Sequence, residues 1–356
     1  MATNDFLPFA TTATANVVSQ ALYVGSAWQT GGFTAGLAQS AQLNKVWRQS
    51  SIISSVIAQF IVNFTGQNAT DDGTTGTLLA NFQAAIQNLT RYKLTGATNF
   101  YVNGTIGSDT NNGLQATAGA AGVGPWATIQ RAITVLQDAY DLAGLNIVIN
   151  VANGTYAPFS FASMLTGQSG SPSQVTIIGN VGSPSSVVIS AVNNNCVYAA
   201  GSANFTLAGM ELTATGSGTT GNGIVCNNAA TVTLSAMNFG TCANNQILCE
   251  GGLVVYGSSS YTISGSAAAH ISVGPGGLVN TVNASIGIIN SPTFSTAFAV
   301  AELSGVIQAP STIFTGTASG PRYYAVSGGQ INTNGGGANY FPGSSAGTAI
   351  SPGGYY

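Results

Sequence analysis

Charge is what this chain lacks most. Asp, Glu, Lys and Arg make up 4% of its 356 residues, where a soluble domain carries about 25%. Between Arg131 and Arg322 there is no Lys or Arg at all. Phosphate contacts need such cations, so nucleic-acid binding by that stretch is excluded. The net charge of −3 is too small to call for a basic partner. His270 is the single histidine, and without a cysteine or carboxylate pattern around it there is no metal-ligand set. Long hydrophobic runs are missing too. The most apolar segment, Ile52 to Phe64, falls short of the ~20 residues that cross a bilayer and contains Ser, Gln and Asn, so it reads as a buried helix. The opening MATNDFLPFA has no basic stretch leading into an apolar core, and no secretory signal is read there. Four cysteines, Cys196, Cys226, Cys242 and Cys249, are then expected as thiols of a chain that folds in a reducing compartment.

What the chain has instead is glycine, 47 residues of it, with 45% hydrophobic residues recurring in a fixed phrase: a short apolar run, a turn of Gly, Ser or Asn, and a second apolar run. Copies start at Val197, Ile224, Ile247, Ile271, Val300 and Ala325, about 25 residues apart, a period that signals a solenoid. One phrase cannot bury a face alone, but stacked copies build a continuous apolar column. The β-branched and aromatic runs show no helical period between them, which predicts coils of parallel strands, a parallel β-helix. Cys226 and Cys249 occupy the same place in consecutive phrases. Equivalent positions in adjacent coils lie about 4.8 Å apart, within reach of a disulfide, although a ladder of buried free thiols is the preferred reading.

Three zones follow from the pattern. Residues 1–95 carry most of the helical signal and four of the six basic residues. Within Gly36 to Gly66, Leu43, Val46, Trp47, Ile53, Val56, Ile57 and Phe60 fall on one helix face, and Gly66 closes the helix. After a loop with Asp71, Asp72 and Gly73 as turn formers, a second helix from Thr77 sets Leu78, Leu79, Phe82, Ala85, Ile86 and Leu89 on one face. Neither stands alone, so this zone packs as a small helical domain or self-associates. Residues 96–320 are the coils, preceded by a helix around 126–142 that begins near Pro125 and shields the first strand, LNIVINV. Residues 321–356, rich in Gly and Tyr, are expected as an irregular C-terminal cap.

The stretches ATTATANVVSQALYV, GFTAGLAQSAQLNKVWRQSSIISSVIAQFIV and DDGTTGTLLANFQAAI resemble the N-terminal region of tailed-bacteriophage tail fibres. YVNGTIGSDTNNGL with PWATIQRAI resembles the opening of phage tailspikes and related pectate-lyase-like β-helices, and GPRYYAVSGGQINTNGGGANYFPG resembles the end of many phage tail proteins. Together they cover roughly half the chain. The resemblance implies a right-handed β-helix, a homotrimer, an N-terminus docked to other tail or baseplate proteins of the virion, assembly in the host cytoplasm, and coils projecting toward a host surface glycan.

Many tailspikes of this fold cleave glycans. A pectate-type lyase would need an acidic cluster for calcium and an Arg or Lys base, and the coils lack the base. Glycoside hydrolysis needs only two carboxylates about 5–10 Å apart, and Glu211, Glu250 and Glu302 are the candidates. Glu250 and Glu302 precede turns two phrases apart, while Glu211 falls on another strand. Three separate solvent-facing carboxylates are the preferred reading, because few charged or aromatic groups surround them. His270 is expected at the surface or a coil edge, and Asp109, in GSDTNNG, as a turn former rather than a calcium ligand. No catalytic, metal or cofactor-binding residue is assigned, and no cofactor, nucleic-acid partner or membrane insertion is expected. The sequence therefore points to a virion structural protein, with a glycan depolymerase or a purely structural spacer as alternatives.

Overall fold

The computed structural model describes residues 2–89, 91–170, 173–255 and 260–356. It divides into two compact units, Met1–Tyr92 and Lys93–Tyr356.

The first unit is helical: α1 (Gln20–Val24), α2 (Ala27–Gly31), α3 (Ser40–Thr65) and α4 (Gly76–Leu89). Helix α3 ends where Gly66 enters the left-handed region at φ +66° and donates its N–H to Val62, the C-cap geometry that a residue without Cβ adopts at least cost. Its core is small: Ala58, Ile61 and Ala69, flanked by Phe6, Val62, Leu78 and Phe82. The apolar face expected to be buried is therefore mostly open. Trp47 is 54% exposed, and Ile53 and Val56 are 60% exposed. On α4, Leu79 and Ile86 are exposed as well; the Leu89 side chain lies outside the described residues.

The second unit is a parallel β-solenoid of about seven turns, made of a ten-stranded, a seven-stranded and an eight-stranded sheet. Every ladder of these three sheets is parallel, and side chains stack in register. In the ten-stranded sheet one inner column runs Phe205, Val232, Val254, Val279, Ile307, Ile331 and Tyr355. In the eight-stranded sheet it runs Phe159, Val197, Ile224, Ile247, Ile271, Ala299 and Tyr323. These columns are nearly all fully buried, and each such aliphatic side chain contributes roughly 1.5–3 kcal/mol relative to exposure. The fifth phrase is offset by one residue: Ala299, not Val300, continues the Ile271 column.

Glycine has a definite task at the corner between the eight- and ten-stranded sheets. A Cβ on Gly252, Gly277, Gly305, Gly329 or Gly353 would lie under 3.0 Å from the carbonyl oxygen of Cys226, Cys249, Val273, Ala301 or Ala325, respectively, one coil earlier. Each turn rests on the backbone of the turn before it, and only glycine leaves room.

Two expectations at the ends are corrected. The first strand of the column is Thr98–Val102, which pairs with Ile147–Val151 and precedes the helix. Its free edge is covered by the loop that follows, through Tyr101 N–H to Gly113 O and a bridge from Val102 to Trp126. Helix α5 spans only Ile129–Ala139, capped by Thr128; Trp126 lies before it, stacked on Phe100 at 5.6 Å. At the other end the segment after residue 320 is not irregular throughout. Tyr323–Ala325, Gln330–Asn332, Thr348–Ala349 and Gly354–Tyr355 extend two of the sheets.

Candidate functional site

Alternation along each strand leaves every second side chain facing outward. On the eight-stranded sheet the outward column is Ser160, Tyr198, Val225, Leu248, Ser272, Val300, Tyr324 and Thr348. It is an uncharged stripe, with Val225, Leu248, Ser272 and Val300 between two tyrosines. On the ten-stranded sheet the outward column includes Thr176, Thr206 and Thr233.

The acidic candidates sit beside the first stripe. Asn227 and Glu250 are register partners. The pairs Cys249–Val273 and Val273–Ala301 then set Gly274 and Glu302 on the next two rungs. Glu250 and Glu302 thus share one sheet edge, two rungs or roughly 10 Å apart along the stack. A Cβ on Gly274 would meet Glu250 Cγ at 3.0 Å and Oε1 at 3.1 Å, so the Glu250 side chain lies over the rung between them. Glu211 belongs to the seven-stranded sheet, where its Oε2 accepts from Asn238 Nδ2 at 2.6 Å. The register brings two of the three carboxylates together and leaves the third elsewhere.

His270 is not at the surface: it is fully buried. His270 and its neighbour Ile271 are both buried, and the same doubling recurs on the rungs either side, at Gln246–Ile247 and Phe298–Ala299. The Gln246 amide fixes the ring's proton: its Nε2 donates to Gly240 O and Gly265 O, at 3.0 and 2.8 Å, so Gln246 Oε1 accepts from His270 Nδ1 at 2.7 Å. Tyr261 then donates to His270 Nε2, also at 2.7 Å. Burial pushes the imidazole pKa down to about 3, and Phe239, Phe294 and Phe298 surround it. A neutral, enclosed imidazole has no access to a substrate. Its role is structural.

Asp109 is also structural. Its carboxylate accepts from Ala127 N, Thr128 N and Thr128 Oγ1 at 2.9–3.0 Å and so fixes the start of α5. The cysteines are four buried free thiols, with Cys226 and Cys249 in direct register. Among the described residues no group of three or more His, Cys, Asp or Glu side chains could hold a metal ion, and no helix is long and apolar enough to cross a membrane.

Two concave surfaces were not legible in the sequence. In the helical unit a groove of about 540 Å³ is lined by Phe6, Leu7, Phe9, Trp47 and serines of α3. In the solenoid a groove of about 300 Å³ lies against Tyr101, Asn103, Asn150 and Ile178. The second is assembled from three coils by register, and only a strand at Thr98–Val102 would have revealed it. No family model matches the chain, and neither a curated protein nor a solved structure is similar to it.

Proposed function

We propose that this chain is a structural, receptor-binding tail fibre or tailspike protein of a bacteriophage. The helical unit attaches it to tail or baseplate proteins of the virion, and the solenoid, a right-handed coil packed as a homotrimer, contacts a glycan of the host surface. One observation carries the reading: uncharged outward ladders run the length of the solenoid, while a separate small unit keeps large apolar side chains exposed. Ladders of this kind offer an extended surface for a repetitive ligand, and an open apolar face on a small core calls for a protein partner. Cryo-EM of the virion tests the assignment. Density for the solenoid outside the tail, with the helical unit at the attachment point, is the expected result; absence of the chain from purified particles overturns it.

A second reading, a glycan depolymerase, is favoured by one feature, the placement of Glu250 and Glu302 on one edge with Gly274 between them. Their spacing is near the range for inverting glycosidases, about 6.5–9.5 Å between carboxyl groups. Release of reducing ends from host polysaccharide, lost in both Glu250→Gln and Glu302→Gln, would establish it. An unchanged polysaccharide leaves the adhesin reading in place.

A further inference from the structure

The groove at the first coils belongs to neither stripe described above. Its floor is a register ladder: Tyr101 pairs with Asn150, and Asn150 with Ile178. Asn103, Ala116, Ala152 and Gly179 are among the residues around it. We propose that this groove binds one or two uncharged sugar residues, the end of a neutral glycan; the proposal rests on the adhesin reading and names its ligand class.

Three side chains carry the argument. Asn150 donates its Nδ2 to Asn99 Oδ1 and Phe100 O, both at 3.2 Å, which holds the amide still and leaves Oδ1 unspent among the described residues. Asn103 does the reverse. Its Oδ1 accepts from Thr105 N and Ile106 N, which leaves Nδ2 as an unspent donor. The Tyr101 hydroxyl makes no hydrogen bond and its ring no stacking contact among the described residues. A sugar hydroxyl both donates and accepts, so a fixed acceptor, a fixed donor and a phenol on one small surface match vicinal hydroxyls. The half-buried Tyr101 ring and Ile178 supply the apolar contact that a pyranose C–H face requires.

Size and charge narrow the class further. About 300 Å³ is the lower end of small-molecule sites, ~300–1,000 Å³, so the groove suits a chain end rather than a long segment. None of its lining residues is charged. A uronate or sialate would leave its carboxylate without a cation and lose hydration on entry. The site is also preformed, because Tyr101 N–H bonds Gly113 O and Asn103 N–H bonds Trp126 O at 2.8 Å each. Little ordering is left to binding.

Saturation-transfer NMR on the full chain tests this with the methyl glycosides of glucose, galactose, mannose and N-acetylglucosamine, against glucuronic acid and sialic acid. At least one neutral sugar should bind, the acids should not, and Tyr101→Ala should weaken binding at least tenfold. Tyr101→Phe, which keeps the fold and loses only the hydroxyl, should weaken it by a smaller factor, and Tyr324→Ala should leave it unchanged. Binding of none of the neutral sugars, binding of the acids, or full binding by Tyr101→Ala overturns the proposal. Retention of the chain on host cells separates the two ideas. Cells that hold wild type and Tyr101→Ala equally remove the groove but keep the adhesin; cells that hold neither remove the adhesin reading itself.

Discussion

His270 Nδ1 donates to Gln246 Oε1 across one coil at 2.7 Å, inside the column rather than on its surface. The pair ties two successive turns together through groups that water does not reach, and it makes stability depend on pH in a defined direction. The folded imidazole titrates near 3, against 6.5 for an unperturbed histidine. Below 6.5 the unfolded chain binds a proton that the folded chain refuses, so its contribution is complete above pH 6.5 and declines toward pH 3. The loss should approach about 1.4 kcal/mol per pH unit. Melting temperature measured from pH 7 to pH 4 should fall more steeply for wild type than for His270→Leu, although the variant starts lower at pH 7 by about 1–3 kcal/mol for the unpaired Gln246. Parallel curves would show that the histidine is not the source.

The glycine corner is the second test. Gly277→Ala drives a methyl into Cys249 O, and Gly305→Ala drives one into Val273 O. Each should cost more than about 2 kcal/mol, in the range of backbone overpacking. Gly96→Ala, where a Cβ meets nothing within 4 Å, should stay within about 0.5 kcal/mol of wild type. Denaturant midpoints decide between a specific clash and a general intolerance of alanine.

Thiol titration probes the interior. Denatured protein should yield four free sulfhydryls, and native protein should react slowly at all of them, since every cysteine is buried. Burial pushes Cys196 up to about 12. The hydrogen bond with Cys249, together with burial, raises Cys226 as well. The same hydrogen bond lowers Cys249, so although thiolate is the reactive form, slow reaction at Cys249 rests on its burial. Two or fewer sulfhydryls in denaturant would mean that the Cys226–Cys249 rung is a disulfide.

Much of this was written in the sequence, and the failures have two causes. The coil period, the Cys226–Cys249 rung and the Gly66 stop are consequences of local pattern, and the structure holds all three. Strict alternation, however, assigns one face to each neighbour along a strand. At His270 two consecutive residues, His270 and Ile271, lie inside, and alternation alone sends the histidine outward. At Val300 the outward residue is itself only 4% exposed, packed with Ala269, Ala297 and Tyr324, so apolar character no longer marks the inner face. The groove at Tyr101 fails for a different reason: its three floor residues are 49 and 28 positions apart in sequence and meet only through register.

Separability of the units gives the next expectation. A chain starting at Lys93 should remain soluble and keep the circular dichroism of a β-solenoid, because the column and its first-strand cover lie within Lys93–Tyr356. It should fail to enter virions when it replaces the full-length chain. Particles that incorporate it normally would remove the docking role from the helical unit.

Association in solution is the last. With charge this sparse, the outward ladders have little to repel a copy of themselves, and a closed threefold assembly covers one face of each column. Light scattering should give three times the chain mass of 35.6 kDa. A soluble monomer at micromolar concentration would overturn the trimer.

The glycine corner also decides where the molecule can change. Each coil is seated there on the carbonyl of the coil before, so a residue added at that corner would displace the turn after it. The junction from the seven-stranded to the eight-stranded sheet is seated in this way only in some coils, where Gly265 packs on the Thr241 backbone and Gly316 and Gly320 on the carbonyls of Ile288 and Phe294. It already varies, from the short link between Cys242 and Asn245 to the longer one between Thr215 and Ile224. New surface can therefore be grafted at the tip of the Thr215–Ile224 link, where a Cβ on Gly218 meets nothing within 4 Å, while the rungs above and below keep their places.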